Sequence, residues 1–259
     1  MALFALASAK GSPGTTLTAL ALATVWAEDP VLADMDPAGS DLTWWCRTPA
    51  GDPIDTDRGL LSLGAAVRRG AAEVSLDGHL QEIDGGVRVL AGIGSPGQVA
   101  GLGAAWTHIP TVFANYGSDV IADCGRVVPG SAALPVLQQA DAVLFVVRPT
   151  IEGIAHLRER LSSLRDSLET GAGGAPIGVA VVTGYRDTRS APDLQQLLDS
   201  EGLAATVLGV VAEDAKAADS LRGVSWSRGV AKSLLFRSAA DVAGRLGELA
   251  QDRLATAKG

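Results

Sequence analysis

Seven short apolar runs recur along this 259-residue chain, with helical patterns between them. They are Leu3–Ala7, Val31–Ala33, Val87–Ala91, Val120–Ala122, Ala142–Val147, Ile177–Val182 and Val207–Val211. Helical periodicity fills 16–28, 59–70, 97–105, 130–139, 151–169, 191–200, 214–222 and 238–255. A strand that is apolar at every position must be covered on both faces. Strands of that kind alternating with helices predict the α/β class: a doubly wound, mostly parallel sheet of about seven strands, with helices on both faces. Right-handed crossovers then gather the strand C-terminal ends at one edge, where ligands bind. There is no internal repeat, and the pattern continues unchanged past the flexible stretch Gly171–Pro176. Residues 1–259 therefore read as one domain, which suits a chain that is 47% hydrophobic and 19% charged.

The first run leads into Ser8-Ala9-Lys10-Gly11-Ser12-Pro13-Gly14-Thr15-Thr16, and a helical pattern follows at once. Strand, glycine loop and helix together make a phosphate cradle. The glycines let successive N–H groups point inward, and the helix N-terminus adds partial positive charge. The phosphate-loop pattern is G-x-x-x-x-G-K-[ST]. Here Ala9 stands at its first glycine and Thr15 at its lysine.

Two acidic strand ends follow. Val31-Leu32-Ala33 runs into Asp34-Met35-Asp36-Pro37-Ala38-Gly39, and Val120-Ile121-Ala122 delivers Asp123 to Cys124-Gly125. Alone, Asp34 and Asp36 read as a strand end starting an Asx turn. Beside a phosphate loop they read as site acids. A magnesium ion on a triphosphate takes hard oxygen ligands, which Thr16 and a water-mediated Asp123 supply, and Asp36 is placed to orient a water.

The order of these segments resembles the MinD/ParA family. The residues that carry the likeness are Lys10-Gly11-x-x-Gly14-x-Thr16, Asp34-x-Asp36-Pro37-x-Gly39, the strand ending in Asp123, Ala140-Asp141-x-Val143-x-x-Val146-Val147-x-Pro149, and Leu208–Asp214. The family consists of P-loop ATPases whose deviant Walker A motif has an extra lysine near its start, which Lys10 matches. Lacking the second lysine, the loop is similar to the CpaE/TadZ-like branch, which positions Tad, type IV-like pilus and secretion machinery. The resemblance implies ATP and Mg2+ as cofactors and Lys10, Gly11, Ser12, Pro13, Gly14, Thr15 and Thr16 as the cofactor-binding loop. It also implies Thr16 and Asp123 at the metal, and Lys10, Asp36 and Asp123 as catalytic residues. A face-to-face homodimer follows, with Lys10 reaching the partner's phosphates, together with a protein partner. Thr15 in place of the catalytic lysine implies weak or absent hydrolysis. Thr183-Gly184 stands where the family has an asparagine contacting adenine, and Ala212 replaces a proline.

Other features compete. Gly92-Ile93-Gly94-Ser95-Pro96-Gly97 is a literal G-x-G-x-x-G, with Asp119 about twenty residues on, as a dinucleotide site has it. It falls mid-chain rather than at the first strand, and Pro96 reads as a helix N1 proline. Arg222, Arg228, Lys232 and Arg237, with Trp226 and Phe236 between them, suggest DNA binding of the partition-ATPase kind. The net charge of −8 argues for a solvated face instead. Trp44-Trp45 predicts one core and one interface tryptophan. Cys46 and Cys124 lie far apart and read as reduced thiols of a cytoplasmic protein. The histidines His79, His108 and His156 have no ligand spacing. Neither a leader nor a run of about 18 apolar residues is visible, so no membrane span is expected.

Overall fold

A computed structural model describes residues 1–70, 74–169, 174–223 and 230–256. All seven expected runs are strands: β1 (Leu3–Ser8), β2 (Val31–Asp34), β4 (Arg88–Leu90), β5 (Val120–Arg126), β6 (Ala142–Val147), β7 (Ile177–Thr183) and β8 (Thr206–Ala212). An eighth, β3 (Gln81–Glu82), adds a short edge. The sheet order is β3-β4-β2-β5-β1-β6-β7-β8. Only the β3–β4 pair is antiparallel. Two polar residues carry no apolar-run signal, which is why β3 was not legible.

Alternation along β1 divides the core. Leu3, Ala5 and Ala7 face α3 (Leu60–Arg69), α5 (Ala105–Ala114), α6 (Leu134–Gln139), α7 (Ile151–Glu169) and α8 (Ser190–Ser200). Phe4 and Leu6 face α1 (Thr15–Val25), α9 (Ala215–Leu221) and α10 (Leu234–Thr256). Helices therefore cover both faces, as the all-apolar strands require. Helix α1 is apolar nearly all round, and it packs against both the sheet and α10.

Boundaries differ where local chemistry overrides periodicity. Helix α1 ends at Val25 rather than 28, because Trp26 turns extended and donates its indole N–H to Asp119 at 2.9 Å. The 97–105 stretch is a 3-10 turn followed by the short α4 (Val99–Leu102). Helix α5 was not expected at all. Its sequence holds Pro110 and the β-branched Thr107, Ile109, Thr111 and Val112, all poor helix formers. Burial of Trp106, Ile109, Val112 and Phe113 outweighs that local preference. Lastly α2 (Leu42–Trp45) is a single turn, too short to show a period.

Candidate functional site

The loop after β1 holds Gly11 at φ 76° and Gly14 at φ 104°, a left-handed pair that bends the chain into α1. Gly14 is the N-cap of α1 and supplies no side-chain acceptor. The first-turn N–H groups are thus left for an external anion. Lys10 and Ser12 are exposed, Pro13 and Thr15 are buried, and Thr16 is half-buried. Strand β5 is immediate neighbour to both β1 and β2, with Asp123 paired to Leu6 and to Asp34. The ends of β2 and β5 accordingly stand beside the loop.

Both Asp34 and Asp123 are buried, 1% and 0% exposed. Burial, then the facing Asp123 carboxylate, pushes Asp34 up to about 8, against bonds from the Ser40 side chain and the Asp36 N–H. Burial pushes Asp123 up to about 6, while the Thr16 side chain and the Gly125 N–H beside it act the other way. Asp36 is half-buried and raised by burial, and its Oδ1 accepts the Ala38 N–H at 2.7 Å. Among the described residues no Lys or Arg forms an ion pair with any of these three carboxylates. Four buried side-chain atoms among them lack a hydrogen-bond partner, and three belong to this site: Thr15 Oγ1, Asp34 Oδ2 and Asp123 Oδ2. The structure thus brings Thr16, Asp34, Asp36 and Asp123 to one edge with the loop.

Two glycines make room for the carboxylates. A Cβ on Gly92 would lie 2.7 Å from Asp34 Cγ, and one on Gly125 2.0 Å from Asp36 Oδ2. Gly125 also has φ 59° and sits where the β1–β5 register slips, with one extra residue on β5 between the Leu6 and Ser8 pairings. Gly125→Ala therefore both strains the backbone and evicts Asp36. It should lower stability by about 2 kcal/mol or more, a fall of roughly 4–8 °C in a thermal melt.

The competing motif is resolved by the same geometry. Gly92 serves the Asp34 carboxylate, and the Gly94 and Ser95 N–H groups already donate to Gln98 Oε1 at 2.8 and 3.2 Å. Asp119 precedes β5 at the opposite edge of the sheet, holding the Ala2 N–H and the Trp26 indole. No dinucleotide site is formed there.

Ser40, which had no signal in the sequence, ties the acids to the next element. Its side chain lies beside Asp34 and opposes the rise in that acid's pKa, its Oγ accepts the Thr43 N–H at 3.2 Å, and its own N–H donates to Ile93 O at 2.8 Å. Helix α2 beyond it carries Trp44, 74% exposed, and a half-buried Trp45 beneath Arg222, 4.9 Å from ring centroid to guanidinium. Trp44 is thus on the surface, and Trp45 packs partly against the core. Of the basic stretch, Arg228 and Trp226 lie outside the described residues, and Arg222 also pairs with Asp219. Phe236 is 3% exposed, so it is core rather than a stacking platform. Arg126, next to the cluster, is exposed.

On the β7–β8 side, the Thr183 hydroxyl donates to Asp187 Oδ2 at 3.0 Å, and Arg148 pairs with Glu213. Asp214 caps α9 through the Ala217 N–H at 3.1 Å. Cys46 and Cys124 are buried free thiols. Among the described residues there is no metal-holding group of three or more His, Cys, Asp or Glu, and no helix long and apolar enough to cross a membrane.

No protein-family model and no curated protein matches the sequence. Solved structures do match in fold. A ParA family ATPase from Chlorobium tepidum superposes with a TM-score of 0.73 at 16% identity, covering 93% of this chain and 97% of that one. The MinD cell division protein of Aquifex aeolicus gives 0.66 at 18%, covering 96% and 97%. Septum site-determining MinD from Pyrococcus horikoshii, complexed with Mg-ADP, gives 0.69 at 15%, covering 95% and 96%. At such identities the likeness establishes the fold, which is that of the MinD and ParA ATPases.

Proposed function

We propose that this chain is a nucleotide-dependent dimerising switch that positions or regulates a cellular machine. The observation that carries the reading is the uncapped α1 N-terminus opening beside buried carboxylates whose oxygens lack partners. Gly11 to Thr16 would wrap the phosphates with backbone N–H groups. Thr16 and Asp123 are hard oxygen donors suited to magnesium, and their proximity fits that ion. Bound Mg-ATP supplies the anhydride bond and the charge that the switch reads. Asp36, on the turn leading to Ser40 and α2, is placed to hold a water and to pass nucleotide state to Trp44. Exposed Lys10 is free to reach a second subunit. Absence of an ammonium group at Thr15 removes support for charge building on transferred phosphate, so turnover is weak or absent. The machine is of the Tad pilus or secretion type, and recruitment to a membrane-bound or polar assembly runs through a protein partner.

A non-catalytic scaffold is the second reading, favoured by Thr15 itself. Calorimetric titration with ATP and Mg2+ separates the two: a binding isotherm and a shift to dimer mass with a non-hydrolysable analogue support the switch. No heat at millimolar nucleotide leaves the scaffold. A DNA-partition role has less behind it, since the net charge is −8 and Phe236 is buried.

A further inference from the structure

At the edge of the sheet opposite the loop, α10 borders a groove of about 510 Å3. One wall is Phe4 with the half-buried Trp26, their ring centroids 4.8 Å apart. The other is a face of α10, where Ala240, Ala243, Gly244 and Gly247 recur at helical spacing. Gly244 and Gly247 are interior to that helix, and a Cβ on either would meet nothing within 4 Å. Gly64 of α3 is different, since a Cβ there would lie 2.3 Å from Leu102 Cδ2. An interior helical glycine costs about 1 kcal/mol relative to alanine. Packing among the described residues accounts for Gly64 but not for Gly244 or Gly247. Glycine also lets a second backbone come close, and the space above these two is open. The groove is acidic as well. Glu28, Asp119 and Glu248 line it, with no lysine or arginine among the lining residues. Asp119 holds the Ala2 N–H and the Trp26 indole, whereas Glu28 and Glu248 are exposed and form no ion pair among the described residues. Arg245, next to Gly244, donates instead to Leu208 O at 2.7 Å.

We propose that this groove docks a basic amphipathic helix of a partner protein. Its small apolar face lies against Trp26 and the α10 glycines, and its Lys or Arg side chains reach Glu28 and Glu248. Shape argues for a helix. The lining of α10 runs from Ala240 to Gln251, about 16 Å or three turns, along which a second helix can lie side by side. Short side chains on that stretch permit close approach of the two axes. Charge argues for a basic partner rather than a second copy, because two copies of this groove would set like charges against each other. The proposal rests on the switch reading for its purpose, naming the kind of partner through which the switch is recruited. Because the groove and the phosphate loop lie at opposite sheet edges, this partner can stay docked whether or not nucleotide is bound.

The nucleotide-free full chain tests this. It is panned against a displayed library of random peptides of about 16 residues, roughly four helical turns, and the enriched peptides are synthesised and titrated. Enrichment of sequences rich in Lys or Arg, with small apolar residues at helical spacing and helicity gained on binding, is expected. Gly244→Leu fills the trough with a better helix former, so it should leave the melt no lower yet weaken binding roughly tenfold or more. Glu248→Lys, on the surface, should weaken it several-fold and reduce its salt dependence. No enrichment overturns the proposal. So do enriched peptides that are acidic or non-helical, and peptides that bind Gly244→Leu as well as the unaltered chain. Self-association of the chain that Gly244→Leu abolishes assigns the groove to a second copy and overturns it too. Failure of the switch reading looks different: it leaves peptide binding intact and ATP without heat, whereas ATP heat without peptide binding rejects only the docking groove.

Discussion

Replacing Asp34 with asparagine should raise the thermal midpoint by roughly 4–8 °C at pH 8, about 2 kcal/mol, and flatten the fall of stability with pH. Asp34 sits at 1% exposure opposite Asp123, and burial followed by that like charge holds its proton on up to about pH 8. The unfolded chain releases the same proton near pH 4. Between those values the native state binds more protons than the unfolded state, so this residue makes stability decline as pH rises from about 4 to about 8. Below that window both states are protonated, and above it both are ionised, so the contribution is flat on either side. Asparagine keeps an acceptor for the Asp36 N–H, now 3.2 Å from Oδ1, and turns an amide toward the Asp123 carboxylate. Repulsion becomes attraction. The measurement is a pair of melts, wild type and variant, across pH 4 to 9. A constant offset, or a gap that closes toward pH 8, would show that Asp34 titrates normally.

Much of this was legible from residue order. Buried parallel strands announce themselves because every position is apolar, and residues 142–147 and 151–169 were bounded as the structure has them. The glycine loop was equally visible, because φ beyond the reach of side chains restricts the choice at Gly11 and Gly14. What stayed hidden depends on tertiary partners. Helix α5 forms against its own propensities because the core takes Trp106 and Phe113. Ser40 looks like any turn serine until Asp34 is found beside it. Gly92 opens a motif read for its own sake, yet it is small because a carboxylate from β2 presses on it. That case is the most instructive of these. A glycine pattern records that something approaches the backbone, but only the neighbouring strand says what.

The same logic bears on Thr15. Thr15→Lys should tighten Mg-ATP binding by one to two orders of magnitude when measured by calorimetry. Charge-assisted bonds to phosphate are worth about 1.5–3 kcal/mol, which is roughly 10- to 150-fold in affinity. The framework that would receive the new side chain is present: the glycine pair sets the curl of the loop, α1 offers uncapped N–H groups, and buried Asp34 and Asp123 each have an oxygen without a partner. An ammonium near buried carboxylates is also compensated, so the variant should melt no lower than wild type. If affinity stays flat while the fold survives, this loop no longer has phosphate geometry, and the scaffold reading gains. Should affinity rise but hydrolysis remain undetectable, the lysine restores binding without the rest of the catalytic charge. Asp36 and Lys10 then become the residues that decide whether such a switch resets by chemistry or by nucleotide exchange.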